Sequence, residues 1–344
     1  MRLHPRPVLK SAIVAALLVS ISCLPVHAFN NDALSDIAWR DVNSVNNEAW
    51  AGTAFSTTFS LPALGAMDSW VMAGTGDFNG DGQLDLLWRN SAFGDNAVWF
   101  MNGNSFASSA LLTPATDTNW EIVGTGYFSG YTDKNIDILW RHKTTGQNAI
   151  WFMNGTTVAS TTLITQVTDL NWKIGGAGDF NHDGKADIFW SHWTSRENAT
   201  WYMDGSTFVT SLVWAANAPL NYYCAGLGFF NSNNDIDVLW RSKTSIENLI
   251  WYMDDIDFVS ATTIPSKATN WKVGGIGDSK FDSDADGLPD LWERNKFGNF
   301  DQTAAGDPDS DGWSNLSEYQ NGTNPNVHQL TIKISRPRSG SNLP

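Results

Sequence analysis

Cysteine is nearly missing from this chain: among 344 residues only Cys23 and Cys224 occur. A disulfide scaffold is therefore excluded, and stability has to come from packing and from metal. Cationic side chains are scarce as well. The 21 Lys and Arg residues stand against 36 Asp and Glu, a net charge of -15. Such a surface repels nucleic acid and anionic lipid and attracts multivalent cations. Beyond residue 28 no apolar run is long enough to span a bilayer, so no membrane span is expected there. Helix punctuation is almost absent before residue 288. Signatures of catalysis are missing too: no Gly-x-Ser-x-Gly elbow, no His-Glu-x-x-His helix, no phosphate-binding glycine loop and no histidine cluster. No enzyme activity is expected.

Residues 1–28 read as a secretory signal peptide. Arg2, Arg6 and Lys10 supply the charged start, Ser11 to Val26 the apolar run, and Val26-His27-Ala28 the small-residue cleavage site. A membrane anchor is the competing reading, but the run is short and broken by Ser20, Ser22 and Pro25. Lipid attachment at Cys23 lacks a leucine-led small-residue box before it. Export implies an extracellular or cell-surface location. Cleavage after Ala28 would leave Cys224 alone, on an apolar strand position that suits a buried, inert thiol.

What the chain does have is repetition. Three phrases recur in fixed order. The first runs MDSWVMAGTGDF from Met67, TNWEIVGTGYF from Thr118, LNWKIGGAGDF from Leu170, LNYYCAGLGFF from Leu220 and TNWKVGGIGDS from Thr269. The second carries Trp39, Trp88, Trp140, Trp190 and Trp240; the third carries Trp50, Trp99, Trp151, Trp201 and Trp251. Both series are spaced by 49, 52, 50 and 50 residues, a register that only duplication maintains. A Ser/Thr-rich segment such as Phe106 to Asp117 completes each unit as a fourth strand. Four short strands per unit of this length describe a propeller blade, so the expected fold is all-β: a β-propeller of about five four-stranded blades over residues 29–279. The chain enters this region mid-repeat and leaves it after one further first phrase. One blade should therefore join both ends, although an open array satisfies the same pattern.

Two of the first phrases run into loops built for a hard cation. Asp77, Asn79, Asp81 and Asp85 place side-chain oxygens at positions 1, 3, 5 and 9, with Gly82 at the turn and the Gln83 carbonyl at 7. Asp179, Asn181, Asp183 and Asp187, with Gly184 and the Lys185 carbonyl, repeat that arrangement. Without a cation, three carboxylates this close repel one another; a solvated Asx turn is the bland alternative. On these residues the chain resembles the FG-GAP or VCBS repeat family, including the integrin α-subunit propellers. The resemblance covers residues 29 to about 280. It implies one Ca2+ per intact loop and an extracellular interaction role, and leaves the partner open. The loops that carry Tyr127, Ser129 and Tyr131, and Phe229 and Asn233, depart from the pattern and should be metal-free. A truncated loop at Asn30, Asp32 and Asp36 is doubtful.

After residue 279 the composition turns acidic, with 11 acidic and 3 basic residues over positions 278–318. Asp282, Asp284, Asp286, the Leu288 carbonyl, Asp290 and Glu293 match positions 1, 3, 5, 7, 9 and 12 of the EF-hand loop. Asp307, Asp309, Asp311, the Trp313 carbonyl, Asn315 and Glu318 match them again. Two short helices, PDLWERNKF and SNLSEYQNG, are expected beside them. Residues 280–325 resemble the thrombospondin type 3-like calcium repeats of bacterial secreted proteins, which implies a calcium-ordered spacer. Residues 326–344 form a tail or the opening strand of a further domain.

Of the 18 tryptophans, 14 fall at repeat positions, where packing between blades is the expected role. Trp193 and Trp214 stand off register and are the candidates for exposed, sugar-stacking aromatics. Arg40, Arg89, Arg141 and Arg241 each follow a repeat tryptophan, which suits a cation–π or ion-pair role. His142 and His192 occupy equivalent turns and resemble neither ligand nor base. The expected function is a calcium-binding interaction or adhesion module for an extracellular protein or glycan. A calcium-dependent lectin and a polysaccharide-active enzyme are the alternatives.

Overall fold

The computed structural model describes residues 34–277 apart from 53, 64–68, 82, 131–134, 232 and 234, then residue 288, residues 293, 296 and 297, and residues 302–328 apart from 322. The expected signal peptide and the residues after 328 lie outside this set.

Twenty strands form five antiparallel four-stranded sheets. Blade 2 comprises β4 (Trp70–Gly76), β5 (Asp85–Asn90), β6 (Asn96–Asn102) and β7 (Ser105–Leu112), in that order from the axis outwards. Blade 3 repeats this with β8 (Trp120–Gly126), β9 (Asp137–His142), β10 (Asn148–Asn154) and β11 (Thr157–Ile164). Blade 4 has β12 (Trp172–Gly178), β13 (Asp187–His192), β14 (Asn198–Asp204) and β15 (Thr207–Val213). Blade 5 has β16 (Tyr222–Gly228), β17 (Asp237–Ser242), β18 (Asn248–Asp254) and β19 (Asp257–Ile264).

Blade 1 closes the ring. Its inner strand is β20 (Trp271–Ile276), from the far end of the repeats, paired to β1 (Ile37–Asp41), β2 (Asn47–Ala51) and β3 (Thr57–Leu61). Ile37 lies opposite Ile276 and Trp39 opposite Val273. The inner strands β4, β8, β12, β16 and β20 neighbour one another in turn around the axis. The ring is therefore closed at five blades, and the open-array alternative falls.

Strand chemistry follows depth. The second strands are buried on both faces, so they read as continuous apolar runs rather than alternations. Side chains at one parity, such as Leu86 and Trp88, face the preceding blade; the intervening Leu87 faces the next. Outer strands are exposed, and their Ser and Thr residues meet solvent on sheet edges. Hairpins from third to fourth strand turn on two residues, the first with positive φ: Gly103, Gly155 and Gly205, with Asp255 in blade 5. That is the geometry of a tight hairpin whose first central residue takes a left-handed conformation.

A five-bladed ring leaves little room at its axis. Each inner strand carries an irregularity in register, as between Met72 and Gly74, and presents glycine there. A Cβ on Gly274 would stand 2.4 Å from the Met72 sulfur, and one on Gly175 would stand 2.6 Å from the Cys224 sulfur. The axial cavity that remains is about 290 Å³.

Between blades the tryptophans do the filling. Trp39, Trp88, Trp140, Trp190 and Trp240 are essentially buried, and each lies 4.6–5.2 Å from the third-strand tryptophan of its own blade. Arg40, Arg89, Arg141 and Arg241 stack over the tryptophan of the following blade, at 5.7, 4.8, 5.0 and 5.1 Å from the ring centroid. Each guanidinium also donates to an asparagine at the start of the third strand of its blade: Asn47, Asn96, Asn148 and Asn248.

Trp214 departs from expectation. It is 4% exposed, packs on Phe180 and Phe189, and donates its indole N–H to Thr200 at 2.9 Å. Its backbone N–H bonds to the Asn198 carbonyl, at the end of the outer strand, so it takes the buried place of Leu112 and Ile164 in their blades. A large aromatic at a repeat position is core, whatever its spacing from the other tryptophans. Trp193, by contrast, is 45% exposed.

Candidate metal centres

A buried aspartate stands at the start of every second strand: Asp36, Asp85, Asp137, Asp187 and Asp237. In blades 2 to 5 this carboxylate binds two segments at once. One oxygen accepts the N–H of the third-strand methionine: Met101 at 3.0 Å, Met153 at 2.8, Met203 at 2.8 and Met253 at 2.9. The other accepts an N–H from the loop: Phe78 at 2.9 Å, Ser129 at 3.1, Phe180 at 3.0 and Phe230 at 3.0. The aspartate is present in ligand-poor loops and ligand-rich ones alike, so it anchors the blade whether or not an ion binds. Burial pushes Asp85 and Asp187 up to about 8 and Asp237 to about 7, against the backbone donors that pull them down.

The ligand-rich loops share backbone bonds to a position-1 aspartate; the blade 5 loop, with Phe229 at that place, keeps the bonds of Asn233 N–H to Asn231 at 2.9 Å and of Asp235 N–H to Asn233 at 3.2 Å. In the loop from Asp179, the Asp183 N–H bonds to Asp179 and Asn181, both at 3.1 Å, the Gly184 N–H to Asp179 at 2.9, and the Lys185 N–H to Asp183 at 2.9. In the C-terminal loop from Asp307 the same four bonds recur. Asp311 N–H bonds to Asp307 and Asp309, both at 3.2 Å, Gly312 N–H to Asp307 at 3.0, and Trp313 N–H to Asp311 at 2.8. The loop from Asp77 repeats three: Asp81 N–H to Asp77 at 3.2 Å and to Asn79 at 3.0, and Gln83 N–H to Asp81 at 2.8. Position 6 is left-handed at Gly184 (φ 84°) and Gly312 (φ 92°), as the sharp turn requires. Backbone donors thus bind the side-chain oxygens of positions 1, 3 and 5 in two equivalent propeller loops and again in the C-terminal segment.

The loop from Asp307 shows how well its donors suit a hard cation. One carboxylate oxygen from each of Asp307, Asp309 and Asp311 lies within 4.8 Å of the others. Asp309 Oδ2 and Asn315 Oδ1 are buried acceptors with no hydrogen-bond donor. Glu318 is buried, and burial followed by the Asp309 charge raises its pKa. Clustered anionic oxygens together with acceptors that lack donors are what a divalent ion satisfies. Helix α1 (Asn315–Asn321) begins inside the loop and carries Asn315 and Glu318, as the SNLSEYQNG phrase predicts. Its Tyr319 lies 6.4 Å, ring to ring, from His182 of the blade 4 loop, and His182 reaches Asp235 of the blade 5 loop at 3.4 Å. Two candidate centres therefore sit side by side.

Of the loop from Asp282, Leu288 and Glu293 are buried, while Asp282, Asp284, Asp286 and Asp290 lie outside the described residues. Asn30 and Asp32 lie outside them as well. The histidines prove structural: His142 meets Asp117 at 3.1 Å and His192 meets Asp169 at 3.2 Å, each edge-on to a first-strand tryptophan. Cys224 is half-buried beside the axial cavity, and burial pushes its thiol up to about 12, so it stays protonated and unreactive.

A family model for the FG-GAP repeat matches residues 71–101, which span β4 to β6 and the loop from Asp77. The chain is thus a five-bladed β-propeller carrying an FG-GAP repeat. No curated protein matches it. Among solved structures, a chain of a nidogen/laminin complex is 9% identical, with 70% of this chain and 97% of that one covered and a TM-score of 0.41. A putative 6-phosphogluconolactonase from Bacteroides uniformis is 13% identical over 67% and 68% of the two chains, TM-score 0.37. A quinonprotein alcohol dehydrogenase-like protein from Bacteroides thetaiotaomicron is 10% identical over 70% and 78%, TM-score 0.37. No helix among the described residues is long and apolar enough to cross a membrane.

Proposed function

We propose that this protein is an exported, calcium-stabilised propeller that acts as an extracellular interaction module, with the acidic C-terminal segment as a calcium-ordered extension. One observation carries the reading: the identical wiring of the loops from Asp179 and Asp307, with donor-free acceptors at Asp309 and Asn315 in the second. Ca2+ would be held at Asp77, Asn79 and Asp81, at Asp179, Asn181 and Asp183, at Asp307, Asp309, Asp311, Asn315 and Glu318, and, as a fourth site, by the loop from Asp282 to Glu293. The ion supplies positive charge that offsets carboxylate repulsion. Asp85 and Asp187 fix those loops to the third strand, which makes the calcium loops extensions of rigid blades.

An interaction role follows from what the fold offers. Buried carboxylates are engaged in holding the blades, the buried thiol is protonated, and the histidines brace turns. The hydroxyls of Thr144 and Thr194 meet His142 and His192 at 3.2 and 3.4 Å, and in each turn the same imidazole nitrogen also accepts a backbone N–H, from Thr145 and Ser195. Thermal melting with and without calcium tests the proposal. A ligand at a hundred times its Kd stabilises by about 2.7 kcal/mol per site, about 5 °C in a domain of this size. Addition of Ca2+ to the chelated protein should raise Tm by at least that much; an unchanged Tm contradicts it.

A further inference from the structure

Blade 4 breaks the arginine pattern. Where the other blades have Arg40, Arg89, Arg141 and Arg241, it has Ser191, and no cation lies over Trp240 among the described residues. The loss is not simply filled. Arg196 occupies the turn position of Gly94 and Gly146, keeping their left-handed backbone at φ 70°. From there its guanidinium reaches the Ala218 carbonyl at 3.3 Å. In blades 2, 3 and 5 the equivalent carbonyls of Ala115, Val167 and Lys267 are held by the strand arginines. A side chain entering from the turn cannot also reach the asparagine below. Asn198, fully buried, donates to the Ala216 carbonyl at 3.0 Å, but its Oδ1 has no donor; in the other four blades that atom receives the guanidinium at 2.7 to 3.3 Å.

The space released is a cavity of about 160 Å³ between β12 and β16, with Ser191 and Ala218 in its wall and Tyr222, Tyr223 and Trp193 as its aromatic sides. Lys173, Arg196 and Lys243 line it too, in a protein where acidic residues far outnumber basic ones. Lys243 is fixed there: its ammonium stands 3.7 Å from the centre of the Trp193 ring and donates to the Trp193 carbonyl at 3.0 Å.

We propose that this wedge binds a uronate residue of an acidic polysaccharide. Two requirements converge on that class. Three cations in the lining, Lys173, Arg196 and Lys243, attract an anion such as a carboxylate. Aromatic walls suit the apolar face of a pyranose. A simple inorganic anion meets only the first requirement, and a neutral sugar only the second. This inference deepens the interaction-module reading by naming a ligand class, and it does not depend on calcium.

Calorimetry and NMR titration of the whole chain with digalacturonate, galactose and potassium sulfate test it. Digalacturonate should bind at submillimolar concentration, and galactose at least tenfold more weakly. Ser191→Arg refills the wedge and should abolish binding while raising Tm. Arg196→Gly, unstrained at φ 70°, should weaken digalacturonate at least tenfold without changing the affinity for galactose. Calcium binding by both variants should match the unmodified chain, which separates failure here from failure of the calcium reading. Absence of digalacturonate binding, galactose binding as tightly, sulfate displacing digalacturonate at equal concentration, or full binding by Ser191→Arg would each overturn the proposal.

Discussion

Asp237 holds Met253 from across its blade: one carboxylate oxygen accepts the Met253 N–H at 2.9 Å while the other accepts the Phe230 N–H at 3.0 Å. The blade 5 loop, which that aspartate closes, carries Phe229 where the ligand-rich loops have Asp77 and Asp179, yet the bonds match those of Asp85 and Asp187. Asp237→Ala leaves two buried N–H groups without acceptors, at roughly 1–3 kcal/mol each. A loss of about 3 kcal/mol in chemical denaturation is expected, with calcium binding retained.

The same carboxyl sets a pH dependence. Its ordinary pKa is 3.8 and burial raises it to about 7, so the folded state binds more protons than the unfolded state between those values. Stability attributable to Asp237 is then greatest at low pH and declines as pH rises from about 4 to about 7. Denaturation across that range in chelator should give a flatter profile for Asp237→Ala than for the unmodified chain. An equal slope would mean that the group is not protonated in the fold.

Arg141 offers a way to build the blade 4 wedge elsewhere. It donates to Asn148 at 2.9 Å and to the Val167 and Trp172 carbonyls at 3.1 Å, and stacks over Trp190. Arg141→Ser reproduces what blade 4 has at Ser191, without the compensating arginine in the turn. It should cost about 2–4 kcal/mol, from orphaned acceptors and lost packing. Calorimetric unfolding measures this directly.

Glu318 tests the C-terminal centre. Glu318→Gln keeps the size of the side chain and removes a charge from the loop, so it should weaken or abolish one calcium site while leaving those in the propeller. Limited proteolysis should then cut near residues 302–328 in the variant even with calcium present. Equal protection in both proteins would place Glu318 outside the site.

Much of this was legible beforehand. The fivefold tryptophan register gave the blade count, and the truncated repeat at each end anticipated the pairing of β1 with β20. Loop spacing singled out the three segments whose backbone N–H groups bond to a position-1 aspartate. Three features were not readable. Trp214 looked off register because blades 2, 3 and 5 carry Leu112, Ile164 and Ile264 at its position, at the same spacing from the asparagine that opens the third strand. The position-9 aspartates looked like ligands alone, since nothing in a linear spacing shows that they reach methionine N–H groups 16 residues on. Ser191 and Arg196 looked like ordinary variation; their exchange makes sense only once Arg196 is seen to reach, from the turn, the carbonyl that a strand arginine holds in blades 2, 3 and 5. A gap at the repeated arginine position was the available signal.

Calcium stoichiometry tests the central claim most directly. Calorimetric titration of the chelated, full-length chain should resolve four sites, two in the propeller at Asp77–Asp81 and Asp179–Asp183 and two in the C-terminal segment. Fewer than three bound ions would contradict the account.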